Sequence, residues 1–427
     1  MVQETKEESV MELSWSISQA LLTKTHFITP IDTKEIWVYR DGLYYPEGEI
    51  YIQTYCKSLF GKLAKKVLVA ETINHIQGLT YARRENLITP VNLIPVQNGL
   101  VNLATGLLEE FSPAFFFTWK LPIKFNPEAK CSAFAKFAAE IVHAQDAILL
   151  LEFIGYCLYR AYPLQKAFML TGEGENGKST FLAFLIKFLG KGNVIQKSLQ
   201  ELGENRFAIA ELYDKLANIY ADLETKSLRN TGKFKMLTGG DTLSAEFKFK
   251  NPFSFENHAK LIFSCNQIPE SPDDTDAFFR RWIIINFPNK FEGEGKDPYI
   301  LDKITTEEEL SGILNIALAA LHDLLLKGGF STNISTDQLR EHYKRLSDPV
   351  QCFIDDCVNM GMEFYVVKKD IYAKYCVWCR ENNYPIKADN EFGKKLFQKL
   401  TPSISDGRTT IDGEKKTVWY GIQLRIN

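Results

Sequence analysis

The chain has 427 residues, 45% hydrophobic and 24% charged, values of an ordinary globular protein that exclude a largely disordered or fibrous one. At that length two to four domains are expected, with ample apolar mass for their cores. The 50 Lys and Arg residues against 53 Asp and Glu leave a net charge of −3. Whole-molecule charge therefore does not draw the chain to nucleic acid or to anionic membrane, and such contact needs local basic spots.

Residues 1–10 are polar and acid-rich, with no basic stretch leading into an apolar one, so no signal peptide is expected. The best apolar run, 147–158, carries Glu152 and is too short to cross a bilayer, and no membrane partner is expected. The 8 cysteines are ordinary usage for a protein of the cell interior with reduced thiols.

In chain order, 1–25 reads as a tail leading into a short helix. A small α+β domain is expected over 26–127. In it 36–39 and 43–45 flank Asp41-Gly42, a hairpin signature, and 99–103 against 107–108 form a second hairpin candidate. Between them 52–76 is helical in pattern, and 111–127, aromatic and proline-punctuated, reads as a linker. Residues 128–165 form a helical collar. From 166 to 298 short apolar runs (167–170, 216–221, 261–263, 282–285) alternate with amphipathic helices, the pattern of a parallel α/β sheet with strands buried on both faces. A helical bundle follows over 299–347. In it Leu310, Ile313, Leu314, Ala317, Leu318, Leu321 and Leu325 share one face, and Gly328-Gly329 ends the helix. The last segment, 348–427, carries two helical stretches, 370–381 and 390–400. A hairpin turning over 412–416 follows, the order of a winged helix.

The chemistry concentrates in the α/β segment. Gly172-Glu173-Gly174-Glu175-Asn176-Gly177-Lys178-Ser179, followed by Thr180, fits a P-loop between an apolar strand and a helix. Glycines let backbone N–H groups curl around phosphates, and the helix N-terminus adds positive dipole. Lys178 reaches the β and γ phosphates and the Ser179 hydroxyl suits Mg²⁺, which makes ATP and Mg²⁺ the expected cofactors. The run 216–221 ends in Asp222-Leu223-Glu224. One acid there suits the metal (Asp222) and the other the attacking water (Glu224), and the two roles are interchangeable on this evidence. Asn266, at the end of 261–265, is placed to orient that water.

Between these strands 242–255 reads as a hairpin with Lys248 and Lys250 near its tip. With Phe249 and Phe253 it could grip a single strand through phosphates and stacking. Arg280-Arg281 precedes the last strand, where an arginine can reach a neighbouring subunit's nucleotide. Cys352, Cys357, Cys376 and Cys379 offer zinc-like spacing, but Cys376 and Cys379 fall mid-helix among aromatics, a core pattern.

The order of these motifs resembles superfamily 3 helicases of the AAA+ class. More narrowly, it is similar to the helicase part of phage and plasmid primase–helicases, related to the poxvirus primase–helicase ATPase. The likeness rests on Gly-Glu-Asn-Gly-Lys-Ser at 174–179, Ala-Asp-Leu-Glu at 221–224, Leu-Thr-Gly-Gly-Asp at 237–241, Asn266-Gln267-Ile268-Pro269 and Phe-Phe-Arg-Arg-Trp at 278–282. Upstream, Asn98-Gly99-Leu100 and 152–156 look like the domain that precedes the motor. The resemblance implies an AAA+ P-loop core with an α+β domain before it and a winged helix after it. It implies a homohexameric ring acting on single-stranded and forked DNA with 3′→5′ travel. It makes Arg281 the arginine finger rather than Arg280, and puts Lys248 and Lys250 on the hairpin lining the channel. The chain has no room for a primase domain, so a separate primase or polymerase is the expected partner in a virus- or plasmid-bearing cell. The winged helix carries 12 Lys and Arg against 10 Asp and Glu over 350–427, which favours a local contact through Lys415 and Lys416. The rival readings are an ATP-dependent replication initiator or clamp without processive unwinding, and a small-molecule P-loop kinase.

Overall fold

The computed structural model describes residues 4–224, 228, 230–248, 252–293, 296–382, 384, 386–411 and 413–425, with side chains from residue 10 onward. Lys250, Phe249 and Asp412 lie outside the described residues.

The chain opens with α1 (Glu4–Lys24), a 21-residue helix and so longer than the short helix expected. It buries Ile17 and Leu21 against Ile76 of α3 (Lys66–Leu79). Strands β1 (Phe27–Pro30), β2 (Trp37–Arg40) and β3 (Leu43–Tyr45) follow, then α2 (Gly48–Phe60), α3 and β4 (Tyr81–Ala82), with sheet order β3-β2-β1-β4. The Asp41-Gly42 turn forms as expected: both residues take positive φ, 52° and 84°, the geometry of a two-residue hairpin. The helical stretch 52–76 is broken in two at Gly61 (φ 52°), where a single 3-10 turn over Gly61–Leu63 separates α2 from α3.

A second sheet of β5 (Leu93–Val96), β6 (Gly99–Asn102) and β7 (Leu108–Glu109) contains the expected second hairpin plus β5, which the sequence pattern had not marked. The segment 111–127 is no free linker. It runs beside β5, with Leu121 N–H donating to Pro95 O (2.9 Å) and Gln97 N–H to Ile123 O (2.9 Å), and it buries Phe117, Trp119, Leu121 and Ile123. Aromatic residues spaced by two put one face of an extended chain into the core.

Helices α4 (Ser132–Ile141) and α5 (Ala144–Leu158) lead to the central element, a five-stranded parallel sheet of order β14-β8-β13-β10-β9. Its strands are β8 (Ala167–Thr171), β9 (Val194–Ile195), β10 (Ala217–Tyr220), β13 (Lys260–Ser264) and β14 (Trp282–Asn286). Every residue of β8 and β13 is buried, as strands covered on both faces must be. Phe168 and Leu170 point into one core with α4, α5, α6 (Lys178–Leu189) and α12 (Glu307–Lys327). Ala167 and Met169 point into the other, with α7 (Leu199–Glu204), α8 (Arg206–Ala210), α9 (Thr231–Gly239), α10 (Asp276–Phe279) and α13 (Thr336–Ser347). Between α9 and β13, strands β11 (Thr242–Ala245) and β12 (Phe253–Glu256) pair as the expected hairpin, and α11 (Ile300–Lys303) precedes α12.

α12 is long and apolar enough to cross a membrane by length and composition, but here Ile313, Leu314, Ala317, Leu321 and Leu324 pack into the core beside α5. Close approach is possible because Gly155 of α5 lies against the carbonyl of Ala317, where a side chain would collide. Thr306 caps its N-terminus and Gly328, at φ 70°, ends it.

The C-terminal unit runs α14 (Pro349–Cys357), β15 (Val358–Val367), α15 (Lys368–Glu381), α16 (Asp389–Leu400), β16 (Ser405–Ile411) and β17 (Glu414–Leu424), with sheet order β15-β17-β16. Its core holds Phe353, Tyr375, Trp378, Phe392, Trp419 and Ile422. The hairpin turns more tightly than expected: Ile411 pairs with Glu414, so Lys415 and Lys416 lie within β17 opposite Thr410 and Thr409. Cys376 and Cys379 sit on α15 as read, all eight cysteines are free, and among the described residues no cluster of metal-binding side chains forms.

One buried charge ties the helical collar to the sheet. Lys260 is fully buried, donates to the carbonyls of Tyr159 (2.7 Å), Ala161 (3.0 Å) and His258 (2.6 Å), and lies over the rings of Tyr156 and Tyr162. Burial lowers its pKa to about 7, helped by Arg160 and opposed by Cys157. Lys260→Met leaves three carbonyls without a donor and should cost about 3 kcal/mol in urea unfolding. The folded state sheds this proton before the unfolded chain does, so its contribution makes stability rise from about pH 7 towards about pH 10. Lys260→Met should flatten that rise.

Candidate nucleotide site

Parallel strands end on one edge, and that edge gathers the candidate residues. β8 leads into Gly172 at φ 140°, where a Cβ would sit 2.7 Å from Phe287 O, and the loop closes at Gly177, φ 90°, where a Cβ would sit 2.6 Å from Ile141 Cγ2. Both positions need glycine for space and for backbone angle. Asn176 is buried and holds the loop to the segment after β14 by donating Nδ2–H to Phe287 O (3.3 Å).

Lys178 starts α6 and turns its Nζ back onto the loop, donating to Gly172 O (2.6 Å), Glu173 O (3.1 Å) and Asn176 Oδ1 (3.1 Å). Burial lowers its pKa, while Cys265 and Asp222 pull the other way. Its ammonium is thus held by neutral carbonyls only, an arrangement a phosphate oxygen would outcompete by charge. Ser179 is exposed and Thr180 half-buried on the first turn of the same helix, and Glu173, Gly174 and Glu175 are exposed on the loop. Glu175 is engaged by Lys296 (3.1 Å).

Asp222 follows β10 with φ 69°, a left-handed conformation that turns the chain at the strand tip, and it is exposed. The next residue returns to the sheet, Leu223 N–H donating to Ser264 O (2.7 Å). Glu224 is exposed, and its carbonyl accepts from Gln200 Nε2 (3.4 Å). Asn266 is exposed just beyond β13, which lies between β8 and β10. The structure therefore brings the P-loop, Asp222 and Asn266 to three adjacent strand ends, where ligands of open α/β sheets bind.

The two arginines lie elsewhere, at the amino end of β14, a strand length of about 16 Å from the P-loop edge. Arg281 is buried at 7% exposure. Its Nε donates to Thr238 Oγ1 (3.0 Å) and its Nη1 to Ala277 O, and burial lowers its pKa. Arg280 is exposed, with Nη2 on Gln165 Oε1 (3.2 Å). Of the pair it is Arg280 that faces outward.

Lys248 lies beyond β11 towards the tip of the hairpin, and Lys250 is outside the described residues. The aromatics there are engaged in packing: Phe253 stacks on Phe247 (5.3 Å) and meets Tyr213 edge-on (5.2 Å).

Sequence reading missed what flanks the strand tips. Tyr343 Oη donates to Pro269 O (2.9 Å) and Gln267 Nε2 to Ser347 O (2.8 Å). From the C-terminal unit, Lys387 Nζ reaches Gln267 Oε1 (2.8 Å) and Lys395 Nζ reaches Glu270 (3.1 Å). Partners 120 residues apart leave no local signal.

From this geometry Arg281→Ala, which strips a buried hydroxyl and carbonyl of their donor, should cost about 2–4 kcal/mol, whereas Arg280→Ala should stay within about 0.5 kcal/mol. Chemical unfolding of the two variants checks this.

Three family models match the chain. They are "D5 N terminal like" over 15–143, a family of unknown function (DUF5906) over 170–281, and "Poxvirus D5 protein-like" over 345–416. The chain is 32% identical over 266 residues to the provisionally named helicase L207/L206 of Acanthamoeba polyphaga mimivirus, covering 56% of this chain and 27% of that protein. It is 26% identical over 256 residues to the similarly named helicase 121R of Invertebrate iridescent virus 3, covering 55% and 25%. It thus spans about a quarter of the length of these curated relatives. Among solved structures, the apo C-terminal region of NrS-1 (305–718) superposes with a TM-score of 0.50 at 14% identity, covering 95% of this chain and 98% of that one. The A form apo structure of the NrS-1 C-terminal region gives the same score at 12% identity. The architecture, a mixed α/β chain built on a parallel sheet, is shared with it almost end to end. With D5-like regions on both sides of its motif-bearing core, the chain resembles the D5-like helicases of superfamily 3.

Proposed function

We propose that the chain is the motor of an ATP-driven viral DNA replication helicase of the AAA+ class, working inside the infected cell. The observation that carries this reading is the convergence of the P-loop, Asp222 and Asn266 on three neighbouring strand ends, with Lys178 held only by neutral oxygens. In this reading residues 172–180 cradle the triphosphate, Lys178 meets its β and γ oxygens, and Glu224 with Asn266 positions the attacking water. Ser179, on the first turn of α6, and Asp222, beyond the end of β10, are exposed oxygen ligands on the same sheet edge and suit Mg²⁺, which when bound would neutralise phosphate charge there.

Charge developing on the γ-phosphate also needs a guanidinium, and Arg280 and Arg281 sit on the opposite edge of their own sheet. A ring, six-membered by resemblance, lets one subunit complete the next one's site. The resemblance assigns this finger to Arg281. The exposure of Arg280 favours Arg280, with Arg281 as the buried anchor that positions it. Lys248 and Lys250 on the hairpin then carry single-stranded DNA by phosphate contact. Stacking falls to residues other than Phe253, which is packed on Tyr213. The helix–strand order and the β15-β17-β16 sheet favour a winged helix over 348–427, meeting DNA or a replication partner such as a separate primase. Travel 3′→5′ and the domain limits 26–127, 128–165, 166–298 and 299–347 belong to the same reading.

The test is ATP turnover with and without single-stranded DNA, beside unwinding of a forked duplex. DNA-stimulated turnover and unwinding should both vanish in Lys178→Ala. Turnover without unwinding would favour the initiator or clamp. Arg280→Ala should lose about 10³-fold in turnover, and mixing it with Lys178→Ala should restore part of it. If only Arg281→Ala complements in the mixture, the finger is Arg281.

A further inference from the structure

The P-loop edge is not bounded by the sheet alone. A cleft of about 250 Å³ runs from Gly172 and Gly174 past Lys290 to Arg380, Tyr384 and Ile386 of the C-terminal unit. Arg380, near the end of α15, is exposed, and among the described residues its guanidinium has no carboxylate or other side-chain partner. Lys290 also lines the cleft but is ion-paired with Glu292, which leaves Arg380 as the cation facing the loop acid Glu173. Tyr384 is stacked on Trp378 (5.0 Å, 21° between planes) and so is rigid, and Ile386 presents an apolar side chain at 38% exposure. The cleft therefore offers a free cation and an apolar wall beside a loop built for phosphate, which is the chemistry of a nucleotide and not of a bare anion.

Position matters as much as type, and the cation and the wall are held. Lys387, one residue beyond Ile386, hydrogen-bonds Gln267 (2.8 Å), which is itself tied to Ser347 (2.8 Å). The C-terminal unit is thereby fastened to the tip of β13 next to Asn266.

We propose that the C-terminal unit completes the nucleotide site of its own chain, with Arg380 binding a phosphate oxygen and Ile386 with Tyr384 walling the nucleoside. This rests on the P-loop reading above and adds to it a contact in cis from about 200 residues downstream. Nucleotide occupancy would then clamp the C-terminal unit onto the motor, so that its partner-binding surface senses whether the site is filled.

The test is equilibrium binding by the full chain of a fluorescent ATP analogue, with inorganic tripolyphosphate as competitor. Arg380→Ala should weaken both about tenfold, or ~1.4 kcal/mol, and Arg380→Lys should fall between it and the parent. Ile386→Asp should weaken the ATP analogue about tenfold and leave tripolyphosphate unchanged, which a general loss of folding would not do. Parent-like binding by Arg380→Ala and Ile386→Asp, with none by Lys178→Ala, would overturn the cis contribution and leave the P-loop site standing. Parent-like binding by Lys178→Ala would instead overturn the P-loop reading itself.

Discussion

Parallel pairing is the constraint on which the rest of this structure depends. β14, β8, β13, β10 and β9 all run the same way, so their carboxyl ends share one edge and their amino ends the other. Groups separated by 44 residues or more in the chain, Lys178, Asp222 and Asn266, meet for that reason alone. The same polarity carries Arg280 and Arg281 to the far edge, so no arrangement within one sheet brings Lys178 and the arginine pair together. In the function proposed above, assembly into a ring bridges the separation that the fold imposes.

Burial supplies the second layer of control. Burying a polar group in a parallel sheet covered on both faces is costly unless it is paired, and Lys260 and Arg281 are each heavily committed. Lys260 uses three carbonyls and two ring faces, and Arg281 uses a hydroxyl and a carbonyl. Lys178 belongs to the same class by burial but differs in consequence, because its carbonyl partners belong to a loop shaped by Gly172 and Gly177 to accept something else. A buried cation whose partners are neutral and local is poised to exchange them, whereas one that bridges distant elements is structural.

The C-terminal unit extends this logic beyond the sheet. Its links to Gln267 and Glu270 lie on the residues that follow β13, beside Asn266. Any change at that strand tip is mechanically shared with the C-terminal unit, and under the proposed function this adjacency would couple the nucleotide site to it.

Much of this was legible in the linear order of residues. The P-loop needs glycines at set spacings, a lysine and a hydroxyl, and that necessity is local. The Asp41-Gly42 turn, the buried strands and the apolar face of α12 follow from the two periodicities of strand and helix. By itself, then, the sequence determined the class of fold, the glycine-lysine loop between β8 and α6 and the acids and amide at the strand ends, because each depends on neighbours within a few residues. Tertiary structure decided the rest: that 111–127 is core and not linker, that Phe253 packs on Tyr213, that Arg281 is buried while Arg280 is offered outward, and that Arg380 stands beside Gly172. Those outcomes depend on which distant surfaces meet and which side chain of an adjacent pair the packing covers, and no local pattern encodes either.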